Sequence, residues 1–181
     1  MLDFQWNDPF WEAHAKLPSW AGYQTRNGPY GSISSDEPSD GMVTIVVDPK
    51  EGKEANLTRE RTNAQWLLNH EAEMASAVLQ GVLAAYPRLQ ELYGYEGEER
   101  EAHMPDVSSP EDFRRLIGLH NVHVHSMVKD GLPYVGYEFG CTWDGEHGLG
   151  VFMNGTRVLE VGGAETAFDL WIAKRDAGVA T

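Results

Sequence analysis

The stretch that decides how this chain is read is NVHVHSMVKDGLPYVGYEFGC, residues 121–141. Asp130-Gly131 is a two-residue hairpin signal, because the tight turn that joins twisted strands needs positive φ at both central positions. A turn centred there pairs Lys129 with Leu132, Val124 with Tyr137, Val122 with Phe139 and His123 with Glu138. Val122, Val124, Val135, Tyr137, Phe139 and Cys141 then share one face, while His123, His125, Gly136, Glu138 and Gly140 share the other. Turn chemistry and apolar alternation point to the same hairpin independently.

Working outward, Asn154-Gly155 gives a second hairpin, pairing Val151 with Val158 and Phe152 with Arg157, so the C-terminal third reads as a β-meander. Gly148 and Gly150 fall on the face of Phe152, flanked by Leu159 and Val161, where missing side chains let a helix or loop approach closely. Gly162-Gly163 leads into a final helix carrying Ala164, Phe168 and Trp171. Upstream, Met42–Asp48 is a β-branched strand. Apolar residues from Ala64 to Tyr86 recur at three- and four-residue spacing, the mark of a long amphipathic helix, with Thr58 as its N-cap. An unbroken helix from Thr58 to Tyr93 would run about 54 Å, against roughly 41 Å across a compact chain of this size. The spacing therefore predicts a kink or stop at Pro87. Residues 94–108 read as an acidic surface loop, and Ser109-Pro110-Glu111-Asp112 as the capped start of a short helix. Asn27-Gly28 marks a hairpin or short turn, and WNDPFW resembles a helix start. Among the aromatic residues Phe4, Trp6, Phe10, Trp11, Trp20, Tyr23 and Tyr30, some are expected to cap the sheet, and any that stay exposed would make a protein-binding patch. The expectation is one α+β domain over residues 1–181, a mostly antiparallel sheet packed with one long helix and shorter ones.

Composition narrows the function. Twenty-eight acidic and 14 basic side chains among 181 residues give a net charge of −14. Such a surface repels phosphate backbones, so nucleic acid is not an expected partner; a basic protein is. The single cysteine allows no internal disulfide, which suits a reducing cytoplasm. The N-terminus has no basic and apolar leader pattern, and no apolar run approaches the length of a membrane span. Cytoplasmic localisation is the expectation, and oligomeric state is left open. Asn56 and Asn154 head N-x-T triplets, which carry no meaning in that compartment.

Two constellations carry chemistry. His-x-His at His123 and His125 puts two imidazoles on one strand face, and Glu138 joins them there. Two histidines and a carboxylate can bind zinc or ferrous iron, as a metal site or a metal-dependent hydrolase. The plain alternative is a polar strand face with no cofactor. His120 points to the other face if the strand is regular. The second constellation is CTWDGEHGLGV, Cys141 to Val151. Asp144 can bond its own backbone two residues on, and the glycines give the bend freedom. Glu146 and His147 lack a full structural reason to be there, and Cys141 on the apolar face is expected to be buried and inert. No P-loop, G-x-G-x-x-G or C-x-x-C is present.

Three stretches, LPSWAGYQTRNGPYGSISSDEPSDG, NAQWLLNHEAEMASAVLQGVLAAYP and YVGYEFGCTWDGEHGLGVFMNGTRVLEVGGAETAF, cover much of the chain. Through them it resembles an uncharacterised bacterial family of single-domain proteins. The family is marked by a W-D-x-E-H-G-L-G-V segment, here Trp143 to Val151, and a following V-x-x-V/I-G-x-A/G turn. Small acidic α+β proteins of this kind are similar to immunity proteins, which bind and neutralise a toxin. The resemblance implies a protein-binding module without catalysis. Trp143, Asp144, Glu146 and His147 would form its binding surface, with Glu138 beside them.

Overall fold

The computed structural model describes residues 2–49 and 51–179. In chain order the strands are β1 (Gln5–Asn7), β2 (Phe10–Lys16), β3 (Gln24–Asn27), β4 (Ile33–Pro38), β5 (Met42–Val47), β6 (Ile117–Lys129), β7 (Leu132–Cys141), β8 (Leu149–Asn154) and β9 (Arg157–Gly162). The α-helices are α1 (Thr58–Asn69), α2 (Glu71–Tyr93), α3 (Gly97–His103) and α4 (Leu170–Ala177). Seven strands form one sheet in the order β1-β2-β5-β6-β7-β8-β9, and β3 and β4 form a separate hairpin. The pairing of β5 with β6 is parallel, and every other described pairing is antiparallel. The protein is α+β, as the alternation of the sequence predicts.

The two faces of the sheet differ because alternate residues differ. One face carries Ile45, Val122, Val124, Val135, Tyr137, Phe139 and Val151, and packs against α1 and α2 through Ala64, Leu67, Val78, Val82 and Tyr86. Each such aliphatic side chain stabilises the fold by about 1.5–3 kcal/mol when fully buried. The other face is rich in glycine. It carries the β3–β4 hairpin, a 3-10 turn over Ala164–Phe168, and α4, with a small second core of Tyr134, Phe152, Ile172 and Ala173.

The Asp130-Gly131 turn is present, with φ of 53° and 78°, and Lys129 pairs with Leu132. Beyond Val128 the expected register slips by two. His125, Ser126 and Met127 stand opposite the single residue Tyr134, so Val124 pairs with Val135, Val122 with Tyr137 and His123 with Gly136. A two-residue slip preserves strand parity, which is why each side chain keeps its expected face. A second bulge leaves His120 unpaired between Leu119 and Asn121, so the regular strand that would turn His120 away from His123 is interrupted.

The second hairpin also differs from expectation. Its turn is Gly155-Thr156, with Asn154 paired to Arg157, Val151 to Val161 and Phe152 to Glu160. The buried Asn154 amide donates to the Leu132 carbonyl, which ties this residue into β8 rather than the turn. Val161 consequently lies on the face of Val151, away from Gly150 and Phe152.

The long helix breaks at His70, not at Pro87. The His70 amide donates to the Trp66 and Leu67 carbonyls, and its ring stacks on Trp66 at 4.0 Å. The helix continues through Pro87, which lies between the buried Tyr86 and Leu89. Thr58 is the first helical residue; the cap is the Asn56 carboxamide, whose oxygen accepts from the Thr58 amide at 3.0 Å. The expected loop over 94–108 contains α3, and the 3-10 turn Pro110–Arg115 follows Ser109 as expected. WNDPFW is not a helix start but a hairpin that pairs Trp6 with Trp11, whose rings meet edge to face across the strands at 5.6 Å. The expected final helix is divided, because the Asp169 carboxylate accepts from the Trp171 amide and caps α4 anew.

Candidate functional site

On β7 the residues facing the glycine-rich side are Gly136, Glu138 and Gly140. The spacing matters because each glycine seats a segment of backbone. A Cβ at Gly136 would overlap the Ala167 carbonyl, and a Cβ at Gly140 would overlap the Gly31 carbonyl. Beside Glu138 on β8 is Gly150, whose missing side chain admits the Gly163 carbonyl. Two segments therefore press onto the sheet around Glu138. The 164–168 turn brings Phe168, and the 29–31 turn brings Tyr30, whose backbone is left-handed at φ 52°. That conformation is strained for a bulky residue and persists only where its surroundings enforce it.

Between these segments lies an open cleft of about 560 Å³. Its walls are Phe10, Pro29, Tyr30 and Phe168, its rim carries Glu12 and Asp48, and its floor Val46, His120, Asn121, His123 and Glu138. Glu138 is 4% exposed. Its Oε2 accepts from the Asn121 amide at 3.0 Å and lies 2.7 Å from His123 Nε2. Burial alone pushes the carboxyl up, but the hydrogen bond and charge of His123, with the Asn121 amide, outweigh it and hold the pKa below the usual carboxylate range. The His123 ring leans on Phe168 at 5.2 Å.

His125 is on the same face but is differently engaged. Its Nε2 lies 3.3 Å from the Ala167 carbonyl and its ring stacks on Phe152. Burial, reinforced by His123, pulls its pKa down to about 4. Among the described residues no group of three or more His, Cys, Asp or Glu side chains converges as a metal-binding set. His123 and Glu138 are the members of the expected trio that touch.

The Trp143–His147 segment lies elsewhere. Trp143 is 2% exposed and packs edge-on against Tyr86 on the helix side of the sheet. The Asp144 carboxylate accepts from the Glu146 and His147 amides and from the Tyr93 hydroxyl at 2.8 Å. Burial pushes Asp144 up, but these bonds win and hold it below the usual range. Glu146 and His147 are exposed. Glu138 faces the opposite side of the sheet and is not brought together with them. The segment nevertheless serves the cleft through its backbone. The His147 carbonyl accepts from Ala164, and Gly148, at φ 61°, leaves room for the Tyr30 carbonyl. Cys141 is buried and its thiol is pushed up to about 12 by burial.

Glu12, Asp48, Asn121 and Phe168 are cleft residues that the sequence reading missed, whereas Phe10 and Tyr30 were among the aromatic residues expected to bind if exposed. The available signal was the G-x-E-x-G spacing of residues 136–140, in which only Glu138 keeps a side chain on that face. A second groove of about 540 Å³ runs along α1. Its charged member, Arg61, is engaged with the Leu2 carbonyl, and Gln65 donates to Asn69.

Fold and site together define a layered α+β protein with an acidic, aromatic-walled cleft on the glycine-rich face of its sheet. The chain belongs to the family described as Domain of unknown function (DUF6985), which matches residues 11–168. The matched span includes every cleft residue except Phe10. Comparison with curated proteins and with solved structures gave no match. Among the described residues no helix is long and apolar enough to cross a membrane.

Proposed function

We propose that this protein is a binding module of immunity or accessory type, which acts by occluding a basic protein partner rather than by catalysis. The observation that carries the reading is the cleft: carboxylates of Glu12, Asp48 and Glu138 and three aromatic rings, with no Lys or Arg among its described lining residues. Clefts lined by one sign of charge concentrate ligands of the opposite sign, and exposed aromatic residues favour protein interfaces. The net charge of −14 works in the same direction over longer range.

The test is capture from lysate of the native organism by wild-type protein and by a Glu12→Gln/Asp48→Asn double variant. A basic protein held in stoichiometric amount by the wild type, released as salt rises and lost in the variant, is the expected result. Equal retention by both proteins, or no stoichiometric partner, sinks the reading.

A second reading is a zinc site or metal-dependent hydrolase at His123, His125 and Glu138. It has the 2.7 Å His123–Glu138 contact in its favour, but it requires His125 to exchange the Ala167 carbonyl for the metal. Elemental analysis of untagged protein and of the His123→Ala/His125→Ala variant decides it. Stoichiometric zinc lost in the variant would establish the site.

A further inference from the structure

We propose that the cleft over Glu138 is a receptor for a primary alkylammonium group, presented as a lysine side chain of the basic partner. This deepens the binding reading above and rests on it. The argument starts from unspent hydrogen-bonding capacity. Both bonds to the Glu138 carboxylate fall on Oε2, so Oε1 accepts from no described residue and, not being sealed from solvent, stays open to a ligand in the cleft. Asn121 spends its amide nitrogen on that same oxygen, and its own Oδ1 is likewise without a partner. Glu12 accepts from Asn7 through Oε2 alone, and Asp48 stands exposed at the rim. The floor of the cleft therefore offers single acceptors on separate side chains, Glu138 and Asn121, while the rim adds the Asp48 carboxylate.

That arrangement suits one cation better than another. A guanidinium is a planar fork that seeks two parallel acceptors on one carboxylate, and Glu138 has only one to give. An ammonium is a compact point charge with three donors that can be met from three directions. Its aliphatic stem needs an apolar channel, which Phe10, Tyr30 and Phe168 supply. Ring faces at the mouth also attract the cation directly. Gly136 and Gly140 complete the logic, since the positions on either side of Glu138 in that row of β7 add no side chain to compete with it.

The experiment is a titration of the intact protein followed by amide and side-chain NMR, with Nα-acetyl-lysine N-methylamide as the probe. The arginine and norleucine analogues and 1,5-diaminopentane serve as comparisons. The lysine analogue is expected to shift the signals of Asn121, His123 and Phe168 saturably, with a dissociation constant on the order of 1–10 mM. The arginine analogue should bind more weakly and the norleucine analogue not at all. Glu138→Gln should weaken lysine binding about tenfold or more. Should that variant fail to fold, the exposed Asp48→Asn change should still weaken binding by about twofold.

Absence of a saturable shift, or an equal response to norleucine, overturns the proposal. Diamine binding more than about tenfold tighter than the capped lysine moves the source to a free amine and overturns the assignment to a protein side chain. Failure of the lysine analogue while a basic partner is still captured removes the lysine receptor and leaves the binding module standing on another surface. Saturable lysine binding with no partner captured supports the chemistry of the cleft and sinks the partner reading instead.

Discussion

His125 is held in its neutral form by burial, with His123 close by, and its pKa of about 4 lies below the value of about 6.5 for a free histidine. Between those two values the unfolded chain binds a proton that the folded chain does not, so stability falls as pH drops through that window and is unaffected above it. The loss is at most about 3 kcal/mol. Urea denaturation of the wild type and of His125→Gln, at about pH 7 and about pH 5, should show the larger acid loss in the wild type; parallel losses would refute the assignment. Two glycines make a matched pair for a second measurement. Gly136→Ala should destabilise by about 3 kcal/mol, because its methyl group meets the Ala167 backbone rather than a movable side chain. Gly145→Ala, with nothing within 4 Å and no left-handed φ, should change stability by less than about 0.5 kcal/mol. At this scale the sequence showed which face each residue of β6 and β7 takes, because parity survives a two-residue slip. It did not show that Glu138 is flanked by seated backbone, since the atoms that fill the glycine spaces come from residues 31, 163 and 167.

Among the elements, α4 is fastened to the sheet by the Asp176 carboxylate and by an ion pair of Arg175 with Glu160 of β9. Asp176 accepts from Arg157 and from the Tyr134 hydroxyl at 2.8 Å each, and pairs with Lys129 at 3.2 Å. The Arg157 hydrogen bond is the main reason its carboxyl lies well below the usual range. A depressed carboxylate contributes stability that is present above the ordinary value of about 4 and is lost as pH falls below it. Asp176→Ala should cost about 2 kcal/mol, since it leaves the buried Tyr134 hydroxyl without its acceptor. Thermal melting checks this, and an unchanged midpoint would mean that the apolar packing of Ile172 and Ala173 and the Arg175–Glu160 pair hold the helix without Asp176. Element existence was legible where a local signal decides it, as at Asp130-Gly131 and Ser109-Pro110. Bulges and breaks were not legible, because they answer to distant partners. Asn154 enters β8 to reach the Leu132 carbonyl, and the His70 break is closed by a ring stacked on Trp66. Pro87 looked like the obvious breaker, yet a helix packed on the core tolerates it.

For the whole molecule, charge sets how partners approach. With a net charge of −14, association with a basic protein should slow about tenfold or more as ionic strength rises from about 0.05 to 0.5 M, while dissociation changes little. Stopped-flow kinetics on the captured partner would show it, and a salt-independent rate would assign recognition to apolar contact. The fold class could be read from the order of the patterns along the chain, but the layering could not. Nothing local announces that the β3–β4 hairpin and the 164–168 turn lie on the face opposite α1 and α2. The parallel contact between β5 and β6 also bears on how the protein is made. Val46 pairs with His123, so α1, α2 and α3 all lie between them in the chain. On the ribosome the N-terminal strands emerge first and have no β6 to receive them. β5 must then wait, one edge open, until the meander has been synthesised and has closed on its own short turns. Because the cleft straddles the β5–β6 seam, with Glu12, Val46 and Asp48 on one side and His123 and Glu138 on the other, its lining is incomplete until the chain has been made as far as Phe168.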